Sequence, residues 1–190
     1  MLTADIFNEH FGQAKPYDEY VATGNEKQRS AWAEVYGRAE LSGPQRELVG
    51  GFVREMRVLV SSGVWCGDCV QQCPLMARIA QANPEKVMLR FVDRDEHVSL
   101  AERVTICGGM RVPVAIFAAE DGEPVSVFGD RTLTRYRALA AAKLGAACPV
   151  PGAPIGDAEL AGTLGDWLDE FERVHLVLRL STRLREKYGD

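Results

Sequence analysis

The stretch Trp65-Cys66-Gly67-Asp68-Cys69 holds the residue types and spacing in this 190-residue chain that point most directly to chemistry. It falls between a β-branched run that reads as a buried strand and the start of a helical pattern. A sulfur at the first turn of a helix lies near unpaired backbone N–H groups and the positive end of the helix dipole. That setting stabilises a thiolate, which is the nucleophilic form of cysteine. Cys66 is therefore the candidate attacking sulfur. Cys69, one turn further on, reaches back to attack the mixed disulfide that Cys66 forms, and so releases a reduced substrate. Gly67 permits the tight turn between the two sulfurs, and Trp65 supplies an apolar wall beside them.

Three of the five cysteines remain. Cys73 lies four residues after Cys69 and so on the same helix face. Cys66, Cys69 and Cys73 together could form a thiolate metal site, but a closed zinc site wants four ligands, and only His97 and Cys107 offer themselves by sequence. A buried, helix-packing Cys73 is the plainer reading, with no metal. Cys107 lies six residues before Pro113; it is either an auxiliary thiol at the rim of the site or an ordinary loop or core cysteine. Cys148 opens a Pro/Gly-rich linker and reads as a bystander. His10, His97 and His175 form no chemical cluster in the sequence. The run Asp93-Arg94-Asp95-Glu96 reads as a solvated strand end. No phosphate-binding, dinucleotide, metalloprotease, kinase or serine-nucleophile motif is present.

The elements that must position the dithiol follow from patterning. Residues 1–52 read as polar helices: a short one capped by Thr3, one from Glu26 to Glu40 carrying Trp32, Val35, Tyr36 and Ala39, and one restarted at Ser42-Gly43-Pro44. Met56–Ser61 is a buried strand, Cys69–Asn83 a helix interrupted by Pro74, and Val87–Val92 a second strand. A helix of about ten residues is expected around Val98–Thr105, then a strand Val112–Ala118, a turn at Asp121-Gly122, a strand Val125–Phe128, and a helix Thr132–Leu144. After the linker from Cys148 to Gly156, one long helix is expected from Asp157 to Tyr188, with an apolar stripe of Leu160, Leu164, Trp167, Phe171, Val174 and Leu178. Strand-helix-strand order favours parallel pairing, and the hairpin adds an antiparallel edge. The expected fold is α/β, a mixed sheet of about four strands flanked by helices.

Composition sets the limits. Lys and Arg number 22 and Asp and Glu 27, a formal charge of −5, which argues against nucleic acid or an anionic membrane as the main partner. No apolar run approaches the roughly 18–20 residues of a membrane span. Met1–His10 carries no basic region followed by an apolar stretch, so it does not read as a secretory signal. An odd, clustered set of cysteines does not suit an extracellular disulfide framework. The expectation is a cytoplasmic protein with reduced thiols unless they do redox chemistry.

These residues together resemble the thioredoxin family. Beyond Trp65-Cys66-Gly67-Asp68-Cys69, Pro74 stands where the family kinks its active-site helix. Val112-Pro113 stands where the family has a cis-proline opposite the dithiol. Gly122, Gly129 and the Thr132–Leu144 segment match the closing hairpin, glycine and final helix. The resemblance covers roughly residues 53–146, leaving helical extensions at 1–52 and 147–190. It implies a thioredoxin-like fold and a cis bond that presents the Val112 backbone to an extended substrate. It also implies protein disulfides as substrates and an external thiol or disulfide reductase as electron donor. The two electrons reside in the dithiol, so no bound cofactor is needed. Two departures stand out. The family's buried Asp is replaced by Val60 and its neighbouring Lys by Leu89, so Cys69 must lose its proton to water or another group. Asp68 replaces a common proline, and its carboxylate is expected to oppose the Cys66 thiolate.

The function expected is thiol–disulfide oxidoreductase, with Cys66 and Cys69 catalytic and with Trp65, Gly67, Asp68, Val112 and Pro113 shaping the substrate site. Two alternatives remain open: a thioredoxin-fold binding module with weak or no redox activity, and the thiolate metal site at Cys66, Cys69 and Cys73. The C-terminal helix packs on the domain or on a second copy in a homodimer.

Overall fold

The computed structural model of the chain describes residues 2–144 and 155–189. Four helices come first. Helix α1 (Ala4–Gln13) is capped by Thr3, whose hydroxyl accepts from Ile6 N. After α2 (Tyr17–Ala22), α3 (Glu26–Arg38) opens with a capping box between Asn25 and Gln28. A second capping box, Ser42 with Gln45, opens α4 (Gly43–Gly50). The sheet then begins with β1 (Met56–Ser62), followed by α5 (Gly67–Gln81), β2 (Val87–Asp93), α6 (Val98–Ala101), β3 (Val114–Ala118) and β4 (Pro124–Gly129). Helices α7 (Leu133–Leu144), α8 (Asp157–Leu180) and α9 (Thr182–Tyr188) complete the described chain. Cys148 and almost all of the expected linker lie outside the described residues.

The sheet order is β2-β1-β3-β4. Strands β1 and β2 are parallel, as the strand-helix-strand pattern predicts. The second such unit behaves otherwise: β3 returns antiparallel to β1, and β4 is antiparallel to β3. Helix α6 is a single turn and not the expected ten residues. Strand β3 starts at Val114, because Pro113 has no N–H for a ladder.

Alternation along the strands gives each face its own core. Val58 and Val60 of β1, with Ala115 and Phe117 of β3, meet α2, α3, α5 and α8 through Tyr20, Trp32, Leu75, Trp167 and Phe171. Leu59, Val114, Ile116 and Ala118 point the other way and meet Phe7 and Phe11 of α1 and Leu100 of α6. The helices outside the sheet region are thus part of both cores. Among the described residues, no helix is long and apolar enough to cross a membrane.

Candidate active site

Between the end of β1 and the start of α5 the chain makes a short loop, Gly63-Val64-Trp65. Trp32 of α3 is wholly buried and donates from Nε1 to the Val64 carbonyl at 3.0 Å, which ties α3 to that loop. A side chain at Gly63 would meet the Trp65 ring at 2.7 Å, so glycine lets the indole fold back. Cys66 is the N-cap residue of α5, and its backbone N–H bonds Gly63 O at 2.9 Å. Its sulfur is half-buried and hydrogen-bonds the thiol of wholly buried Cys69. Opposite stands the Val112–Pro113 bond, which is cis as the resemblance implies. Cys66 Sγ is 3.9 Å from the Val112 carbonyl oxygen. Gly129 closes this corner: a Cβ there would lie 2.4 Å from Pro113 O. Gly67 is the first residue of α5 and takes up no left-handed conformation, so the tight turn does not draw on glycine's freedom. A groove of about 280 Å³, lined by Trp65, Gly67, Val70, Ala31, Val35 and Ile155, runs beside the dithiol.

The two thiols titrate as a pair. Burial first of all holds the Cys69 thiol well above its ordinary value. The Cys66 thiol is pushed up by its hydrogen bond with Cys69 and then by burial, while the backbone N–H groups of Cys69 and Asp68 pull it down. Of the two sulfurs, Cys66 is the one that faces solvent and those two amides.

Asp68 departs from expectation. Its carboxylate turns away into a double hydrogen bond with Arg131, 2.9 Å from Nε and 2.5 Å from Nη2, and Arg135 stands 3.5 Å off. That charge is therefore compensated, and what Asp68 presents to Cys66 is its amide. Arg131 also reaches Asp130 at 3.2 Å, as does Arg111 at 3.3 Å. Burial works to raise the Asp130 carboxyl, but hydrogen bonds from Tyr136 and Arg111 and the charge of Arg131 outweigh it and leave it lowered.

Several placements were invisible along the chain. Val60, wholly buried, faces Phe91 and Ala115 in register, and Leu89 pairs with Val58. Cys73 is wholly buried, 3.5 Å from the Ser62 hydroxyl. Among the described residues, no three His, Cys, Asp or Glu side chains are placed to hold a metal ion. Arg94 is not a solvated strand end: its guanidinium lies 4.8 Å over the Trp65 ring and donates to Met110 O at 3.2 Å. Two of the histidines do meet, with His10 Nδ1 2.8 Å from His97 Nδ1, because α1 and α6 share one face of the sheet. His175 instead stacks on Phe52 at 4.3 Å and accepts from Val53 N. Cys107 is exposed, at φ 50°. Arg111 carried one signal, its place directly before Val112-Pro113; Arg94 and Arg131 carried none.

A family model described as thioredoxin matches residues 14–143, so the match takes in α2 to α4 as well as the sheet. No curated protein matches the chain. Among solved structures, a protein of unknown function from Pseudomonas aeruginosa is similar, at 15% identity and a TM-score of 0.71, over 92% of this chain and 97% of that one. An HIV epitope-scaffold protein is similar at 16% identity and a TM-score of 0.64, over 87% of this chain and 98% of that one. Both likenesses concern the fold.

Proposed function

Because the chain belongs to the thioredoxin family, matched over residues 14–143, we propose that it is a thiol–disulfide oxidoreductase acting on protein disulfides. One observation carries this reading. A half-exposed Cys66 sulfur sits at a helix N-terminus, hydrogen-bonded to a buried second thiol and 3.9 Å from the Val112 carbonyl. The Cys66 thiolate attacks one sulfur of a substrate disulfide; that S–S bond breaks, and the other sulfur leaves as a thiolate. Cys69, once deprotonated, attacks Cys66 Sγ and expels the second substrate sulfur. The protein is then oxidised by two electrons, held as a Cys66–Cys69 disulfide. An external thiol or disulfide reductase returns them, and no bound cofactor enters.

Trp65, Val112 and Pro113 border the attacking sulfur and form the groove for an extended peptide. The Val112 backbone there suits any sequence, because strand-like pairing reads the main chain. Such chemistry belongs in a reducing compartment, the cytoplasm. The test is an insulin-type disulfide reduction assay with dithiothreitol as donor. The wild type accelerates precipitation of the insulin chains, and Cys66→Ser does not. Equal rates for the two would remove the reading. The potential, measured against a glutathione buffer, then gives the direction of exchange.

A further inference from the structure

The groove beside Cys66 takes its two walls from separate loops: Trp65 from the loop before α5, and Val112 and Pro113 from the loop before β3. We propose that Arg94 fixes the width of that groove by bridging the two loops. It is a positioning residue, acting through Trp65 on one side and Met110 on the other. The inference rests on the oxidoreductase reading above.

The backbone brings Arg94 to this place. Its N–H donates to Ser62 O at 2.8 Å, which carries the β1–β2 pairing one step past Asp93 and up to the active-site loop. Asp93 holds the turn that follows: its carboxylate accepts from Asp95 N at 2.8 Å and its carbonyl from His97 N at 3.0 Å. From there the Arg94 side chain makes contacts in three directions. Its guanidinium lies 4.8 Å over the Trp65 ring. Nη1 donates to Met110 O at 3.2 Å. Nε and Nη2 both donate to Asp95 Oδ1, at 2.9 and 2.8 Å. Met110 lies two residues before Val112, whose carbonyl oxygen is 3.9 Å from Cys66 Sγ. One guanidinium thus joins the two sides of the attacking sulfur.

Neither wall belongs to a strand where it meets the groove. Strand β1 ends at Ser62 and β3 begins at Val114, so Trp65 and the stretch from Met110 to Pro113 lie outside the ladders. The Trp65 side chain is 46% exposed, and Met110 is exposed as well. A guanidinium suits the task of joining them. Its flat face attracts an aromatic ring, and its N–H groups remain free to donate at the edge of the same plane. An ammonium is a point charge without that fork, so lysine would sit over the ring or reach the carbonyl and would not fix both. The Asp95 carboxylate is exposed, and so open an ion pair adds little stability. Its effect is to aim the Arg94 fork, by holding Nε and Nη2 while Nη1 reaches Met110 O.

The test uses the full chain carrying Cys107→Ser and Cys148→Ser as the parent, with Arg94→Met and Arg94→Lys made in it. Arg94→Met keeps an apolar stem over the indole and loses the charge and the donors. Arg94→Lys keeps the charge and loses the fork. Two substrates are compared. Insulin, with dithiothreitol as donor, needs the groove; 4,4′-dithiodipyridine, small and uncharged, reports only how readily Cys66 attacks. In both variants the KM for insulin is expected to rise about tenfold with kcat held, the mark of lost binding surface. The first release of 4-thiopyridone stays at the parent rate. Trp32 and Trp167 are wholly buried, so acrylamide quenching reports Trp65, and it should increase in Arg94→Met. An unchanged KM for insulin in Arg94→Met overturns the inference. So does the parent KM in Arg94→Lys, which would leave Arg94 only its charge. Equal losses on both substrates also overturn it, since they place the effect at Cys66 and not at the groove. If the parent itself does not reduce insulin, the oxidoreductase reading falls first and this inference with it.

Discussion

At Asp68 one residue acts on the neighbouring sulfur in two senses. Its amide favours a Cys66 thiolate, while its carboxylate would oppose one if it were free. Arg131 decides between them by binding both carboxylate oxygens. Arg131→Gln exposes the acid, and the Cys66 thiolate becomes harder to form. A partly screened charge a few ångströms further off is worth about 1 kcal/mol, or roughly fivefold in thiolate at neutral pH. Thiolate absorbance near 240 nm followed against pH measures this directly. The curve should move to higher pH in Arg131→Gln and not in Arg137→Gln, an exposed residue of α7. The dithiol itself was legible in the sequence because its logic is local: two sulfurs, a strand before and a helix after. Arg131 was not, because it stands 63 positions from Asp68 and only the closed β4–α7 corner brings it near.

Helix α3 holds the active-site loop from outside the sheet. The bond from Trp32 Nε1 to Val64 O is its one polar tie to that loop among the described residues, and the indole is wholly buried. Trp32→Phe keeps an aromatic ring but leaves the carbonyl without its donor. A buried acceptor left unmet costs about 1–3 kcal/mol, so the urea midpoint should fall while the fold survives. Hydrogen exchange at the Val64 and Trp65 amides should quicken more than in β3. Element types were legible wherever apolar spacing ran long, as in α3, α5 and α8; ends were not. Helix α6 stops after one turn because Arg103 and Val104 bond the carbonyls of Leu100 and Ala101, three residues back, leading into β-branched Val104 and Thr105. The expected single C-terminal helix breaks at Ser181. That residue is extended at ψ 112° and turns its hydroxyl into a cap, accepting from Leu184 N. Periodicity continues across Ser181, so pattern alone could not see the break.

Across the whole molecule, buried polar side chains join elements that are far apart in sequence, and their protonation couples the fold to pH. Gln72 of α5 donates to Asp130 O at 2.9 Å and accepts from Thr132 N and Trp167 Nε1, locking α5, the β4–α7 corner and α8 together. His175 does the same between α8 and the segment before β1, accepting from Val53 N at 3.2 Å while stacked on Phe52. His97 meets His10 across the second core, where one ring must accept what the other donates. Burial and then Arg179 lower the His175 value; burial and then His10 lower that of His97. Both rings are therefore held neutral in the folded chain. Below about pH 6.5, the ordinary value for histidine, the unfolded chain binds more protons than the folded one, so stability rises with pH through that window. Above it the two states bind alike and this contribution is complete. The urea midpoint should accordingly be lower at pH 5.5 than at pH 7.5. His175→Gln keeps an acceptor for Val53 N–H but cannot titrate, and it should remove part of that difference, as should His97→Gln. A pH dependence unchanged in the double variant would show that other groups, and not these two neutral rings, couple the fold to acid.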